Sequence, residues 1–114
     1  MYINSKATSI DVSSLKSSNV VNMSNMFEGA AATTITGLDK LDTSNVTNMF
    51  STFYATKVSI LDLSSFNTSK VTNMNYIFSN TSATIGYARN SSEVSKFNAL
   101  STSYKPSTLK FKLK

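Results

Sequence analysis

Leu41-Asp42-Thr43-Ser44-Asn45-Val46-Thr47-Asn48-Met49-Phe50-Ser51-Thr52-Phe53 is one of three near copies of a single unit. Leu15 to Phe27 reads L-K-S-S-N-V-V-N-M-S-N-M-F, and Phe66 to Phe78 reads F-N-T-S-K-V-T-N-M-N-Y-I-F. Val20, Val46 and Val71 stand 26 and then 25 residues apart, and each is followed three positions later by Met23, Met49 or Met74. A fixed period of this length marks architectures in which one supersecondary unit stacks on the next.

Upstream of each copy lies a short apolar and polar alternation: Ile10 to Leu15, Thr36 to Leu41 and Leu61 to Phe66. Alternation predicts half-buried strands, and strands recurring at one period with a crossover between them pair in parallel. Downstream, Val71, Met74, Ile77 and Phe78 sit at i, i+3, i+6 and i+7, as do Val20, Met23, Met26 and Phe27. That spacing predicts a short helix in each copy, with Ser18, Ser44 and Ser69 as N-caps. The middle copy has Thr52 where the others have Met26 and Ile77, and Phe50 is expected to compensate from the flank of the stripe.

The expected fold is therefore α/β, a short solenoid with one parallel strand and one short helix per coil of 25 or 26 residues. Residues 1–114 are read as one domain, with an N-terminal segment (1–9), three repeats (10–84) and a C-terminal cap (85–114). In the cap, Thr84 to Ala88 predicts a fourth strand, and Ser91 opens a helix with Val94, Phe97 and Leu100 on one side. Thr108 to Lys114 reads T-L-K-F-K-L-K, which predicts a final strand with Leu109, Phe111 and Leu113 inward and lysines outward.

Charged residues make up 15% of the chain, below the ~25% usual for globular proteins, so Ser, Thr and Asn leave a mostly neutral, hydrogen-bonding surface. The net charge of +5 lies entirely in residues 85–114, where Arg89, Lys96, Lys105, Lys110, Lys112 and Lys114 face Glu93 alone. Cysteine, histidine and tryptophan are absent, which removes thiolate chemistry, Cys/His zinc sites and imidazole acid–base catalysis. No apolar run approaches the ~18 residues of a membrane span, and Met1 to Ile10 has no signal-peptide pattern.

The unit Leu61-Asp62-Leu63-Ser64-Ser65-Phe66-Asn67-Thr68-Ser69-Lys70-Val71-Thr72-Asn73-Met74 resembles the BspA-type leucine-rich repeats of bacterial surface proteins, also common in mycoplasma lipoproteins. Gly86-Tyr87-Ala88-Arg89 followed by Lys96-Phe97-Asn98 is similar to the segment that closes such arrays. The resemblance covers residues 10–114. It implies a leucine-rich-repeat-like solenoid, adhesion to surface proteins, and no catalytic residues.

Several residue sets are candidates for function. Asp11, Ser13, Asp39, Lys40, Asp62 and Ser64 are expected to share one strand face, a regular array of the kind that solenoids use for binding. Asp11, Asp39 and Asp62 are too dispersed to promise a calcium site, and neither metal nor cofactor is expected. Tyr76 falls away from the helical stripe and Tyr54 lies at its margin, and exposed tyrosines suit protein recognition. Lys105, Lys110, Lys112 and Lys114 form a basic end. Asn22, Asn48 and Asn73 precede the methionine in every copy and are expected to bond backbone between coils or at the helix flank.

No nucleophile is paired with a base, so the expected function is non-catalytic: a module of a bacterial surface-associated protein that binds a protein or surface polymer. A structural spacer or cap of a larger surface or phage assembly is the alternative, and polyanion or nucleic-acid binding through the basic end is a further one. Self-association through the N-terminal strand edge near Ile10 is also expected. The expected location is the cell surface as part of a larger protein, with a cytoplasmic or phage-associated setting as the alternative for a chain without its own signal.

Overall fold

Each methionine-centred stretch closes as a run of turns, not as a helix. In the middle copy the carbonyls of Met49, Ser51 and Phe53 accept from the N–H groups three residues on, at Thr52, Tyr54 and Thr56. Equivalent turns run through Met23 to Ala30 and Met74 to Thr81. The N–H groups of Met49, Ser51, Phe53 and Ala55 go to the next copy: Met49 donates to Asn73 O at 2.8 Å and Phe53 to Ile77 O at 2.9 Å. Two positions per copy lie in the left-handed region, Asn25, Ser51 and Tyr76 at one and Gly29, Ala55 and Asn80 at the other, with φ from 53° to 67°. A left-handed residue ends an α-helix, so each three-residue turn is reset before a helix can propagate. The serines expected as N-caps cap nothing. Instead Ser44 N–H donates to Asp42 and Ser69 N–H to Asn67.

This computed structural model describes residues 2–114. Among these residues the strands are β1 (Ser9–Asp11), β2 (Thr34–Thr36), β3 (Ile60–Leu63), β4 (Ile85–Ala88) and β5 (Lys110–Leu113), and the one α-helix is α1 (Ser91–Asn98). All pairing is parallel, β1 with β2 in one sheet and β3-β4-β5 in another. The expected solenoid of strand-and-helix coils is overturned: the described residues fold into a compact body, 32 × 30 × 24 Å, built on two small sheets and a single α-helix. The three sequence copies contribute short strands and turns to one common core.

The break between the sheets has a local cause. Ile10 pairs with Ile35, an offset of 25, whereas Val12 and Leu38, its counterpart, are 26 apart. The extra residue falls at Thr36-Gly37, where the chain turns through a 3-10 helix, Leu38–Lys40, in place of a longer strand. Gly37 has φ 85°, and a Cβ there would sit 2.5 Å from the Ser13 backbone. Only glycine meets both constraints.

The core is organised on a column of rings. Tyr2 stacks on Phe27, Phe27 on Phe53 and Phe53 on Phe78, with centroids 5.5, 5.5 and 5.9 Å apart and planes within 13°. Phe97 of α1 and Phe111 of β5 close the column over Phe78. Leu109 and Phe111 are buried, but Leu113, expected inward, is 57% exposed. Thr52 is fully buried, and its hydroxyl donates to Met23 O at 3.0 Å, so its polar atom is satisfied without Phe50. Phe50 turns outward instead.

Candidate functional site

Outward from that column, on the turns, lies a groove of about 590 Å³ walled by Phe50, Tyr54 and Tyr76. The backbone ladder puts Glu28, Tyr54 and Ser79 at one register position in successive copies, since Gly29 N–H donates to Tyr54 O and Ala55 N–H to Ser79 O. Tyr76 meets Phe50 edge to face at 5.8 Å and Tyr104 at 5.2 Å, so the three rings form one contiguous cluster, of which Phe50 and Tyr76 face the groove. Tyr76 remains 43% exposed. Ser51, Ser79, Asn80 and Ser103 add polar atoms to the lining. Asn80 Nδ2 donates to the Tyr54 hydroxyl at 3.3 Å, and Asn25 Nδ2 donates to Glu28 at 2.8 Å.

The sequence places Tyr54 and Tyr76 among the candidates, and the fold brings them into this one groove. Sequence reasoning missed Phe50 as a wall, together with Glu28, Asn80 and Ser103. Phe50 carried a signal: its counterparts are Ser24 and Asn75, so a lone aromatic stands where the other copies are polar.

The acidic set divides. Asp11 and Ser13 are exposed at β1, where the Ser13 hydroxyl and N–H both donate to Asp11 Oδ1. Those bonds hold the Asp11 carboxyl below the usual carboxylate range. Ser64 makes the same pair of bonds to Asp62. Asp62 and Asp39 meet around a common cation, Lys114 Nζ, at 2.6 and 4.0 Å. Partial burial works to raise the Asp62 pKa, but the bonds from Lys114 and Ser64 outweigh it and hold the carboxyl low. Lys114 is raised in turn, first by its bond to Asp62. Lys40 is exposed, next to Asp39 in the 3-10 turn. No cluster of three or more His, Cys, Asp or Glu converges as a metal site among the described residues.

The basic end is not one surface either. Lys105 is 5% exposed, and its Nζ donates to Leu109 O at 2.7 Å and Pro106 O at 3.2 Å. Burial, helped by nearby Lys110, lowers its pKa. Lys110 and Lys112 stand exposed on β5, with Lys112 Nζ 5.8 Å from the centre of the Tyr87 ring. Asn22, Asn48 and Asn73 form parallel bridges to one another. Each side-chain oxygen accepts the N–H two residues ahead, at Ser24, Phe50 and Asn75, so the asparagines fix the entry to each turn run.

A family model described as "Mycoplasma protein of unknown function, DUF285" matches residues 1–109. No curated protein and no solved structure matches the chain. Among the described residues, no helix is long and apolar enough to cross a membrane.

Proposed function

The chain belongs to the Mycoplasma family DUF285, and from that premise we propose that it is a non-catalytic binding module of a surface-associated protein, engaging a protein or surface polymer. The observation that carries this reading is the convergence of Phe50, Tyr54 and Tyr76 on one open groove. Exposed aromatic side chains supply large contact area at low entropic cost, and they dominate the energetics of recognition surfaces. The resemblance of the repeated unit to BspA-type surface proteins supports a location at the cell surface. The test is binding of the fluorescently labelled chain to whole mycoplasma and host cells by flow cytometry. Saturable binding that falls at least ten-fold in a Tyr54→Ser, Tyr76→Asn double variant supports the module. A chain that binds neither surface refutes it.

Self-association is a second reading, favoured by one observation. Strand β1 pairs only with β2 among the described residues, leaving its other edge open, and Val21 beyond it is 53% exposed. Open edges recruit further strands. Sedimentation at high concentration tests it: a mass that stays at one chain refutes it, and an Asp11→Pro variant that abolishes a growing mass assigns the edge. The polyanion reading has less support, because Lys105 is buried and Lys114 is neutralised by Asp62.

A further inference from the structure

We infer that the groove between Tyr54 and Tyr76 takes a neutral, hydroxyl-rich oligosaccharide, with pyranose faces against Phe50 and Tyr76 and hydroxyls held by Asn80, Glu28 and Ser103. This names the ligand class for the binding module proposed above and rests on that reading.

The lining has the two features that a sugar needs. A pyranose presents C–H faces that pack on aromatic rings and a rim of hydroxyls that both donate and accept. Here rings alternate with such partners: Glu28, Tyr54 and Ser79 occupy one register position in three neighbouring copies, and Asn80 lies beside them. Asn80 gives one amide hydrogen to the Tyr54 hydroxyl, and its carbonyl oxygen is left to accept. Three adjacent chain segments at strand-like spacing extend about 10 Å, which suits an extended chain of sugars better than a single compact metabolite.

Charge selects among polymers. No lysine or arginine lines the groove, and its single charge is the Glu28 carboxylate. An anionic polymer would meet a carboxylate with no cation to offset it, so a neutral one fits. No strand edge borders the groove, so a peptide would have no ladder to extend there.

Tyr76 supplies a further argument. It is left-handed at φ 57°, where the equivalent residues are Asn25 and Ser51. Asparagine tolerates that region, whereas a bulky side chain there is a conformational outlier. Such strain is retained where the surroundings or the function require it. Full burial does not supply the reason, because the residue is 43% exposed. The strained backbone holds an aromatic face at the mouth of the groove.

The experiment is a titration of the 15N-labelled full chain with cellohexaose, maltohexaose and chitohexaose, and with a heparin hexasaccharide as the anionic control. The expected result is saturable shifts at Phe50, Tyr54, Tyr76 and Asn80 with at least one neutral hexasaccharide and none with heparin. Tyr76→Asn should weaken binding at least ten-fold while its thermal midpoint stays at or above that of the parent chain, which separates loss of ligand from loss of fold. Tyr54→Ala should weaken binding independently. The inference is overturned if no neutral hexasaccharide perturbs the groove, if the shifts map elsewhere, or if heparin alone binds. Cell binding that persists without any sugar response would leave the module standing and remove only the sugar. Absence of both removes both.

Discussion

Thr68 and Glu93 meet in the interior: the Thr68 hydroxyl lies 2.8 and 2.9 Å from the two oxygens of the Glu93 carboxylate, and both residues are buried. The counterparts of Thr68 are Ser17 and Thr43, and they serve a different partner. Ser17 Oγ accepts the Asp42 N–H, while Thr43 Oγ1 accepts the N–H of Asn67 and donates to its carbonyl. One row of hydroxyls thus fastens each copy to the backbone of the next. At the third copy α1 follows, and Glu93 takes the place of that backbone, with Lys96 Nζ 2.7 Å from the hydroxyl and 3.4 Å from the carboxylate. Replacing Thr68 with the similarly shaped valine leaves a buried carboxylate short of a donor. Thr68→Val should cost about 2 kcal/mol, as is typical for hydrogen bonds to charged groups. Urea unfolding followed by tyrosine fluorescence measures it, and an unchanged midpoint would contradict the anchoring role.

Asn48 tests the turn entries. Its side chain accepts from Phe50 N–H at 2.9 Å, while its backbone carbonyl accepts from Met23 N–H. Leucine at this position removes the side-chain acceptor and keeps the volume, so Asn48→Leu should lose about 1 kcal/mol. Asn48→Asp keeps an acceptor and should lose less. Equal thermal midpoints for the parent and the leucine variant would mean that the turn closes without this bond.

The repeat itself was legible, and with it the parallel pairing at 25 residues, because Val, Asn and Met recur at matching positions. The conformation of the unit was not. Apolar side chains at i, i+3, i+6 and i+7 lie on one side of a helix, but three-residue turns reset by a left-handed residue present the same set inward. The weak helix formers in V-T-N-M were a counter-signal, since Asn, Thr and Val all rank low in helix propensity. The same ambiguity reaches the site: on a helix, Thr52 leaves a gap that Phe50 would fill, whereas the turns bury Thr52 and put Phe50 on the wall of the groove.

Left-handed positions make paired predictions. Gly37→Ala places a methyl against the Ser13 backbone at a φ that alanine resists, and should cost at least about 2 kcal/mol. Ala55 already occupies the left-handed region at φ 57°, where the first copy has Gly29. Ala55→Gly should therefore stabilise the fold by about 0.5–1 kcal/mol, the reverse of the usual glycine effect. Differential scanning calorimetry of the two variants checks both signs, and a destabilising Ala55→Gly would show that the strain is not there.

Stability should depend on pH through Asp62 and Lys114. The folded Asp62 carboxyl is held low, so its contribution is complete above the unfolded carboxylate value near 3.9 and is lost as pH falls through the folded pKa. Lys114 is raised, so its share is complete below about 10.4 and is lost as pH climbs through its folded pKa. A plateau from about pH 5 to 9 with both flanks falling is expected. Asp62→Asn should flatten the acid flank relative to the parent and remove the part of the alkaline decline that comes from Lys114. Thermal midpoints measured at intervals from pH 2.5 to 11 would detect it, and superimposable acid flanks would dismiss the pair as a contributor.

The ring column makes the sharpest energetic claim, because its central member touches partners on both sides. Phe53 is fully buried, 5.5 Å from Phe27 and 5.9 Å from Phe78, with planes within 13° of each. Phe53→Ala should cost about 3–5 kcal/mol through lost burial and the cavity left behind. Size alone would account for that, so Phe53→Leu is the more telling change: it keeps much of the volume and removes the stacked faces. A double-mutant cycle pairing Phe27→Leu with Phe53→Leu should return a coupling of about 0.5–1.5 kcal/mol, the range found for aromatic pairs beyond their buried area. Tyr2→Leu with Phe53→Leu is the control, since those rings are separated by Phe27 and should couple weakly. If both cycles return values near zero, the column is held by volume alone, and ring-to-ring registration does not help to align the three copies.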